Sequence, residues 1–171
     1  MKRIASMSPA QKTSARKDEH LTIACDHAVE PMARRSGAFA DIALEHQALP
    51  EIDLNEVDTS AVLLGRSLKL PLLIGSMTGG TSNASTINRT LAQVAQETGI
   101  GMCLGSQRAM IEDPSLAWTY AIRDLAPDVL VIANIGAVQL CKGVTAAQIE
   151  DAADRVGADA IVFHLNAAQE A

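Results

Sequence analysis

Four short apolar runs in this chain each end in residues able to bind a ligand or do chemistry, and they recur about every thirty residues, the length of a β/α unit. Residues 72–74 lead into Ser76-Met-Thr-Gly-Gly80, residues 101–105 into Ser106-Gln-Arg108, residues 129–133 into Asn134-Ile-Gly136, and residues 160–165 into Asn166 with Gln169-Glu170. Glycines just past a strand let backbone amides approach a ligand closely. In parallel sheets the rim at the C-terminal strand ends is where ligands bind. A single run of this kind is weak, because buried strands enter Gly-rich turns for steric reasons alone. Repetition at constant spacing is what points to a site. A basic cluster, Arg16-Lys-Asp-Glu-His20, stands ahead of the four. No Ser-His-Asp or Cys-His order stands out, which leaves nucleophilic hydrolysis unsupported.

The elements that must hold these residues follow from pattern. An apolar run too short for a helix and without polar alternation reads as a strand covered on both faces. Parallel strands are therefore expected at 72–75, 101–105, 129–133 and 160–165, each covered by the helix that follows it. Ile87, Leu91, Val94 and Ala95 make one helical face, with Ser82 or Asn83 as cap and Gly99 just past the end. Asp113-Pro114 supplies a cap and a first-turn proline, with Trp118, Ala121, Ile122 and Leu125 facing the sheet and Pro127 closing the helix. Thr145-x-x-Gln148 is a capping box ahead of Ile149, Ala152, Ala153 and Val156, and Gly157 stops that helix.

Before the first strand, residues 61–64 and 67–70 flank Gly65-Arg66, a pair suited to a type II′ hairpin placed to cap the bottom of a barrel. Leu21, Ala24, Cys25 and Ala28 recur at helical spacing until Pro31, which predicts a short amphipathic helix opened by Asp18 or Glu19. Arg16 and Lys17 would sit at its entry. Cations there oppose the helix dipole but suit a bound phosphate. Residues 39–50 read as a short strand or turn and 51–60 as an acidic loop. The organisation expected is a flexible tail over 1–15, an arm, helix and hairpin over 16–70, and four β/α strands over 71–171.

Composition narrows the function classes. At 171 residues, near half apolar and a fifth charged, the chain can bury one ordinary core. Four aromatic residues and a net charge of −6 argue against base stacking and nucleic-acid binding. Half of the lysines and arginines nevertheless fall within the first 35 positions, a basic arm ahead of an acidic body that suits an anionic ligand. Cys25, Cys103 and Cys141 are odd in number and widely spaced, so a reduced, cytoplasmic setting is expected rather than disulfides or zinc. No run approaches ~20 uninterrupted apolar residues, and the first fifteen lack an apolar signal core, which argues against a membrane span or secretion.

With these residues placed, the chain resembles the type 2, flavin-dependent isopentenyl-diphosphate isomerase family. The resemblance rests on Arg-Lys-x-Glu-His at 16–20, Ser-Met-Thr-Gly-Gly at 76–80, Gly-Ser-Gln-Arg at 105–108, Ala-Asn-Ile-Gly at 133–136 and His-Leu-Asn-x-x-Gln-Glu at 164–170. It implies an α/β fold in which the four strands are the first half of a TIM (β/α)8 barrel, preceded by the arm and hairpin. A complete barrel needs roughly 250 residues, so half a site is expected here. The resemblance further implies reduced FMN exchanging protons with the substrate alkene, NADPH as reductant, Mg²⁺ on a small-molecule diphosphate, and a homo-oligomer at full length. Ser76, Met77, Thr78, Ser106 and Asn134 would bind flavin. Arg16, Lys17, Ser106, Gln107, Arg108 and Gln169 would bind substrate, Glu170 would hold the metal, and Gln169 and His164 would be the catalytic pair. The rival within the same fold is an FMN-dependent oxidoreductase of the hydroxy-acid oxidase kind. A rival of another class is a non-catalytic remnant.

Overall fold

The chain runs α1 (Pro9–Asp26), a 3₁₀ turn (Leu54–Glu56), β1 (Ala61–Leu63), β2 (Arg66–Leu68), β3 (Leu73–Ile74), α2 (Ser82–Thr98), β4 (Gly101–Cys103) and α3 (Arg108–Glu112). A second 3₁₀ segment (Pro114–Thr119), β5 (Val131–Gly136), α4 (Val138–Cys141), α5 (Ala146–Arg155) and β6 (Ala160–His164) follow. This is a computed structural model, and it describes residues 9–26 and 42–166. The expectations for Pro31, for Phe39, and for Gln169 and Glu170 lie outside the described residues.

β3, β4, β5 and β6 pair in that order, and every pair is parallel. Sequential parallel strands joined by helical crossovers are the arrangement the thirty-residue repeat demands. β5 is buried along its whole length, which is why its sequence shows no polar alternation. Alternate residues separate two cores. Met102, Leu104, Val129 and Val131 pack with Ala92, Ala95, Ile122, Ala152 and Val156 on the helix side. Leu130 and Ile132 pack with Leu68, Leu63, Cys103 and Ala160 on the other. The hairpin thus closes the floor of the inner face, as expected. The architecture is α/β, with four parallel β/α units matching the first half of a (β/α)8 barrel, and the described strands do not close into one.

β5 begins two residues later than the apolar run suggested and includes Asn134 and Gly136. The cause is β6, which pairs with it from Ile132 to Gly136 and draws the polar end into the sheet. The hairpin also differs in detail. Leu63 pairs with Arg66, so the turn residues are Leu64 and Gly65, with φ of 51° and 76°. Two positive φ values mark a type I′ turn, whose twist suits a two-residue hairpin loop, rather than type II′.

The helices follow their sequence signals unevenly. α5 is capped by the reciprocal Thr145–Gln148 box and buries Ile149, Ala152 and Ala153, as read. α2 is capped by Thr81, one residue ahead of the expected cap, and buries Ala84, Ser85, Asn88, Ala92 and Ala95 while Val94 stays exposed. Small residues line this face because the helix lies close on the sheet. Asn88 is tolerated there because its amide donates to the carbonyls of Thr78 (3.2 Å) and Thr119 (3.0 Å). Asp113 caps and Pro114 opens the next element as predicted, but that element is a 3₁₀ segment ending at Thr119. Trp118 is 54% exposed rather than facing the sheet, and Tyr120 is fully buried. The Thr119 hydroxyl donates to Leu116 O at 2.7 Å and accepts from the Gly80 amide at 2.8 Å, which ties this turn to the loop after β3.

Candidate active site

The loop after β3 gains its shape from close packing. A Cβ on Gly79 would lie 1.9 Å from the Tyr120 ring, and one on Gly105 would lie 2.5 Å from the Thr78 carbonyl oxygen. Gly80 has φ of +84°. These glycines therefore let the strand-end segments of β3 and β4 and the Tyr120 ring touch one another, a steric role beside any approach to a ligand. Thr78 is buried, whereas Ser76 and Met77 are exposed.

α1 lies over this rim, and its course corrects one expectation. The helix runs from Pro9, so Arg16 and Lys17 sit in its middle rather than at its entry. Its first turn holds no acidic residue, and what sets its course is docking rather than a cap at Asp18. Thr13, nearly fully buried, donates to Glu112 Oε2 at 2.9 Å, and Arg108 Nη2 donates to Thr13 Oγ1 at 3.3 Å. Arg108 Nε lies 3.5 Å from Glu112 Oε1. Lys17 Nζ donates to the Ser106 carbonyl at 2.9 Å and to Tyr120 Oη at 2.8 Å, and Tyr120 in turn donates to the same carbonyl at 2.8 Å. The ammonium stands 5.2 Å from the centre of the tyrosine ring.

Burial pushes the Lys17 ammonium down to about 7, and the nearby Arg108 and Arg16 push in the same direction against Glu112. Three cations thus meet at one edge of the rim, with Glu112 set against them. An anion placed there would relieve both the repulsion and the desolvation. Burial holds the Tyr120 phenol well above its usual range, so it stays a neutral donor and acceptor.

At the other end of the sheet, His164 Nδ1 meets Asn134 Oδ1 at 2.9 Å. An amide oxygen only accepts, so Nδ1 carries the proton and the ring is oriented by Asn134. Asn134 and His164 stand at alternate positions to Ile132 and Val162 on the inner face. The Gln107 amide donates to Asn134 O at 2.8 Å, which fastens the loop after β4 to β5. The buried Asp18 Oδ1, Thr78 Oγ1 and Gln107 Nε2 have no hydrogen-bond partner among the described residues. A groove of about 260 Å³ lined by Lys17, His20, Leu21, Ala24, Met77 and Thr78 runs between α1 and the loop after β3.

Of the residues singled out by sequence, Lys17, Ser106 and Arg108 gather with Arg16 at one cluster, Met77 and Thr78 share a groove with Lys17, and Asn134 pairs with His164. Gln169 and Glu170 lie outside the described residues. Sequence reasoning missed Thr13, Glu112 and Tyr120. Glu112 was visible as an i,i+4 partner of Arg108, and Tyr120 as the chain's one tyrosine next to a proline-initiated turn.

The profile of the FMN-dependent dehydrogenase family matches residues 19–117. An isopentenyl-diphosphate delta-isomerase from Synechocystis sp. is 50% identical over 159 residues, covering 93% of this chain and 45% of that protein. The isomerase of Rickettsia akari is 48% identical over 156 residues, with 91% and 45% covered, and that of a Synechococcus strain is 47% identical over 155 residues, with 91% and 44% covered. The chain spans about half the length of these curated relatives. The profile match together with the parallel β/α half-sheet shows that this chain belongs to the FMN-dependent dehydrogenase family, and within it the chain is similar to isopentenyl-diphosphate delta-isomerases.

Proposed function

We propose that this chain supplies one half of the active site of an isopentenyl-diphosphate delta-isomerase, which interconverts isopentenyl and dimethylallyl diphosphate by a 1,3-allylic proton shift in isoprenoid biosynthesis. The observation that carries this reading is the cationic cluster of Arg16, Lys17 and Arg108, fixed to the strand-end rim through the Ser106 carbonyl, with Glu112 beside Arg108 and Lys17. Such a cluster suits a multiply charged phosphate group, which Arg108 would meet with a planar fork and Lys17 as a point charge.

The residues present fit a flavin. Thr78 Oγ1 and Gln107 Nε2 are buried and without hydrogen-bond partners among the described residues, and Ser76 and Met77 lie exposed beside Thr78. Ser76, Met77, Thr78, Ser106 and Asn134 would hold FMN, which, reduced by NADPH, would supply acid–base chemistry at its ring without net oxidation. Gln107 would share in holding the substrate. Asn134 would fix the orientation of His164 toward the reacting end, with Gln169 beside it. Glu170 would hold Mg²⁺ against the diphosphate, a hard oxygen ligand for a hard cation. A cytoplasmic location and a homo-oligomer at full length belong to the same reading, and no described helix is long and apolar enough to cross a membrane.

The test is to exchange this chain for the matching segment of the Synechocystis relative and introduce Arg16→Ala and Arg108→Ala. Each substitution removes a charge-assisted contact worth about 1.5–3 kcal/mol, so substrate affinity should fall roughly ten- to a hundredfold while FMN affinity stays nearly unchanged. Equal loss of both affinities would place the effect on folding and refute the assignment. The family description favours a second reading, an oxidoreductase of the hydroxy-acid oxidase kind. Anaerobic bleaching of bound FMN by a 2-hydroxy acid would support that reading instead.

A further inference from the structure

We propose that Tyr120 is the positioning residue for the diphosphate-binding Lys17, an inference that rests on the isomerase reading and extends it to a side chain that reading does not use. The geometry is a closed triangle. Lys17 Nζ donates to Tyr120 Oη at 2.8 Å and to Ser106 O at 2.9 Å, and Tyr120 Oη donates to Ser106 O at 2.8 Å. Tyr120 is fully buried, and its ring is seated against Gly79, where no other residue would leave room for it. The phenol oxygen is thus held by the scaffold before α1 arrives. Lys17 comes from a helix more than a hundred residues away in sequence, and the triangle helps fix α1 to this rim, together with Thr13 on Glu112 and Arg108.

The hydroxyl does two things for Lys17. It supplies an oxygen dipole to an ammonium that is largely desolvated and faces Arg16 and Arg108, with the Glu112 carboxylate acting against them and His20 lining the same groove. It also spends one of the three ammonium donors in a fixed direction, which sets where the third points. Removing the hydroxyl while keeping the ring would leave the packing against Gly79 intact and withdraw both effects. The charged form of Lys17 would then be harder to maintain at neutral pH, and anion binding would weaken there.

The experiment compares the 171-residue chain with its Tyr120→Phe variant. The Lys17 side-chain resonances are followed by NMR as pH is raised, and inorganic pyrophosphate is titrated at pH 6 and pH 8. The expected result is a Lys17 midpoint about one pH unit lower in the variant. Pyrophosphate affinity should be about tenfold weaker at pH 8 and within about twofold of the parent at pH 6, where Lys17 is mostly charged in the parent and about half charged in the variant. An unchanged midpoint in the folded variant overturns the proposal, whatever pyrophosphate does. A lowered midpoint in a chain that takes up no pyrophosphate supports the positioning role and counts against the diphosphate reading, so the two failures are distinguishable. Should Tyr120→Phe not fold, Lys17→Met reads the same contact from the other side: the Tyr120 Cζ resonance must move, and an unmoved one overturns the proposal.

Discussion

At the scale of single residues, the site is a balance of charge against burial, and Lys17 shows it most clearly. Its midpoint is lower in the folded chain, at about 7, than the ordinary lysine value of 10.5. The unfolded chain therefore binds more protons across the interval between these values, so this group makes the fold more stable as pH rises from about 7 toward 10. Thermal melts of the parent and of Lys17→Met over pH 7–9 should show that rise in the first and a flatter profile in the second. An anion reverses the shift. Binding pyrophosphate at pH 8 should be accompanied by proton uptake, detected by calorimetry in buffers of different ionisation enthalpy, and affinity should fall as pH rises above 7. Proton release would contradict the placement of Lys17. The glycines are a second residue-scale case. Gly79→Ala would force a methyl into the Tyr120 ring and should cost about 1–3 kcal/mol in chemical denaturation. The motif was legible as glycines past a strand, but nothing in its pattern said that a tyrosine forty residues on would occupy the space they leave.

At the scale of elements, legibility followed how local the causes are. The Thr145–Gln148 capping box, Gly99 past α2 and Gly157 past α5 act within a turn of themselves, and each stands where its sequence signal placed it. α1 did not, because its start is set by Thr13 reaching Glu112 about a hundred residues away. β5 starts two residues and ends three residues beyond its expected bounds for a similar reason, its length being fixed by β6. A long-range clamp at the floor of the sheet was likewise invisible in sequence. Asp159 accepts from the Val131 amide at 2.9 Å and pairs with Arg66 at 2.5 Å and Arg123 at 3.1 Å, while Arg123 also donates to the Val129 and Gly157 carbonyls. Burial works against the carboxylate, but these donors together hold it below its usual range. Its contribution is therefore present above about pH 4, the ordinary aspartate value, and lost as pH falls through the lower folded value. Asp159→Ala should cost about 2–3 kcal/mol and Asp159→Asn less, since the Val131 amide keeps an acceptor. Equal loss in the two variants, measured by urea denaturation, would show that the ion pairs rather than the Val131 hydrogen bond carry the effect.

At the scale of the molecule, the parallel order of the sheet was readable because a thirty-residue repeat of strand and helix admits few other arrangements. Among the described residues the sheet has open edges at β3 and β6, and Leu72, Leu73, Val162, Phe163 and Leu165 are exposed on or beside them. Unpaired strand edges next to apolar surface favour association, and barrel closure is what removes them. The 171-residue chain on its own should therefore self-associate in size-exclusion chromatography and bind FMN weakly in a fluorescence titration. A monodisperse monomer that binds FMN tightly would show a pocket complete within this half-sheet. The central claim is that this half-sheet, closed by its complement, is an isomerase site. It is tested most directly by exchanging the chain into the Synechocystis relative, loading FMN, reducing it, and supplying radiolabelled isopentenyl diphosphate. Formation of labelled dimethylallyl diphosphate with no net consumption of reduced flavin is the result predicted, and a folded, FMN-loaded protein that forms none would contradict it.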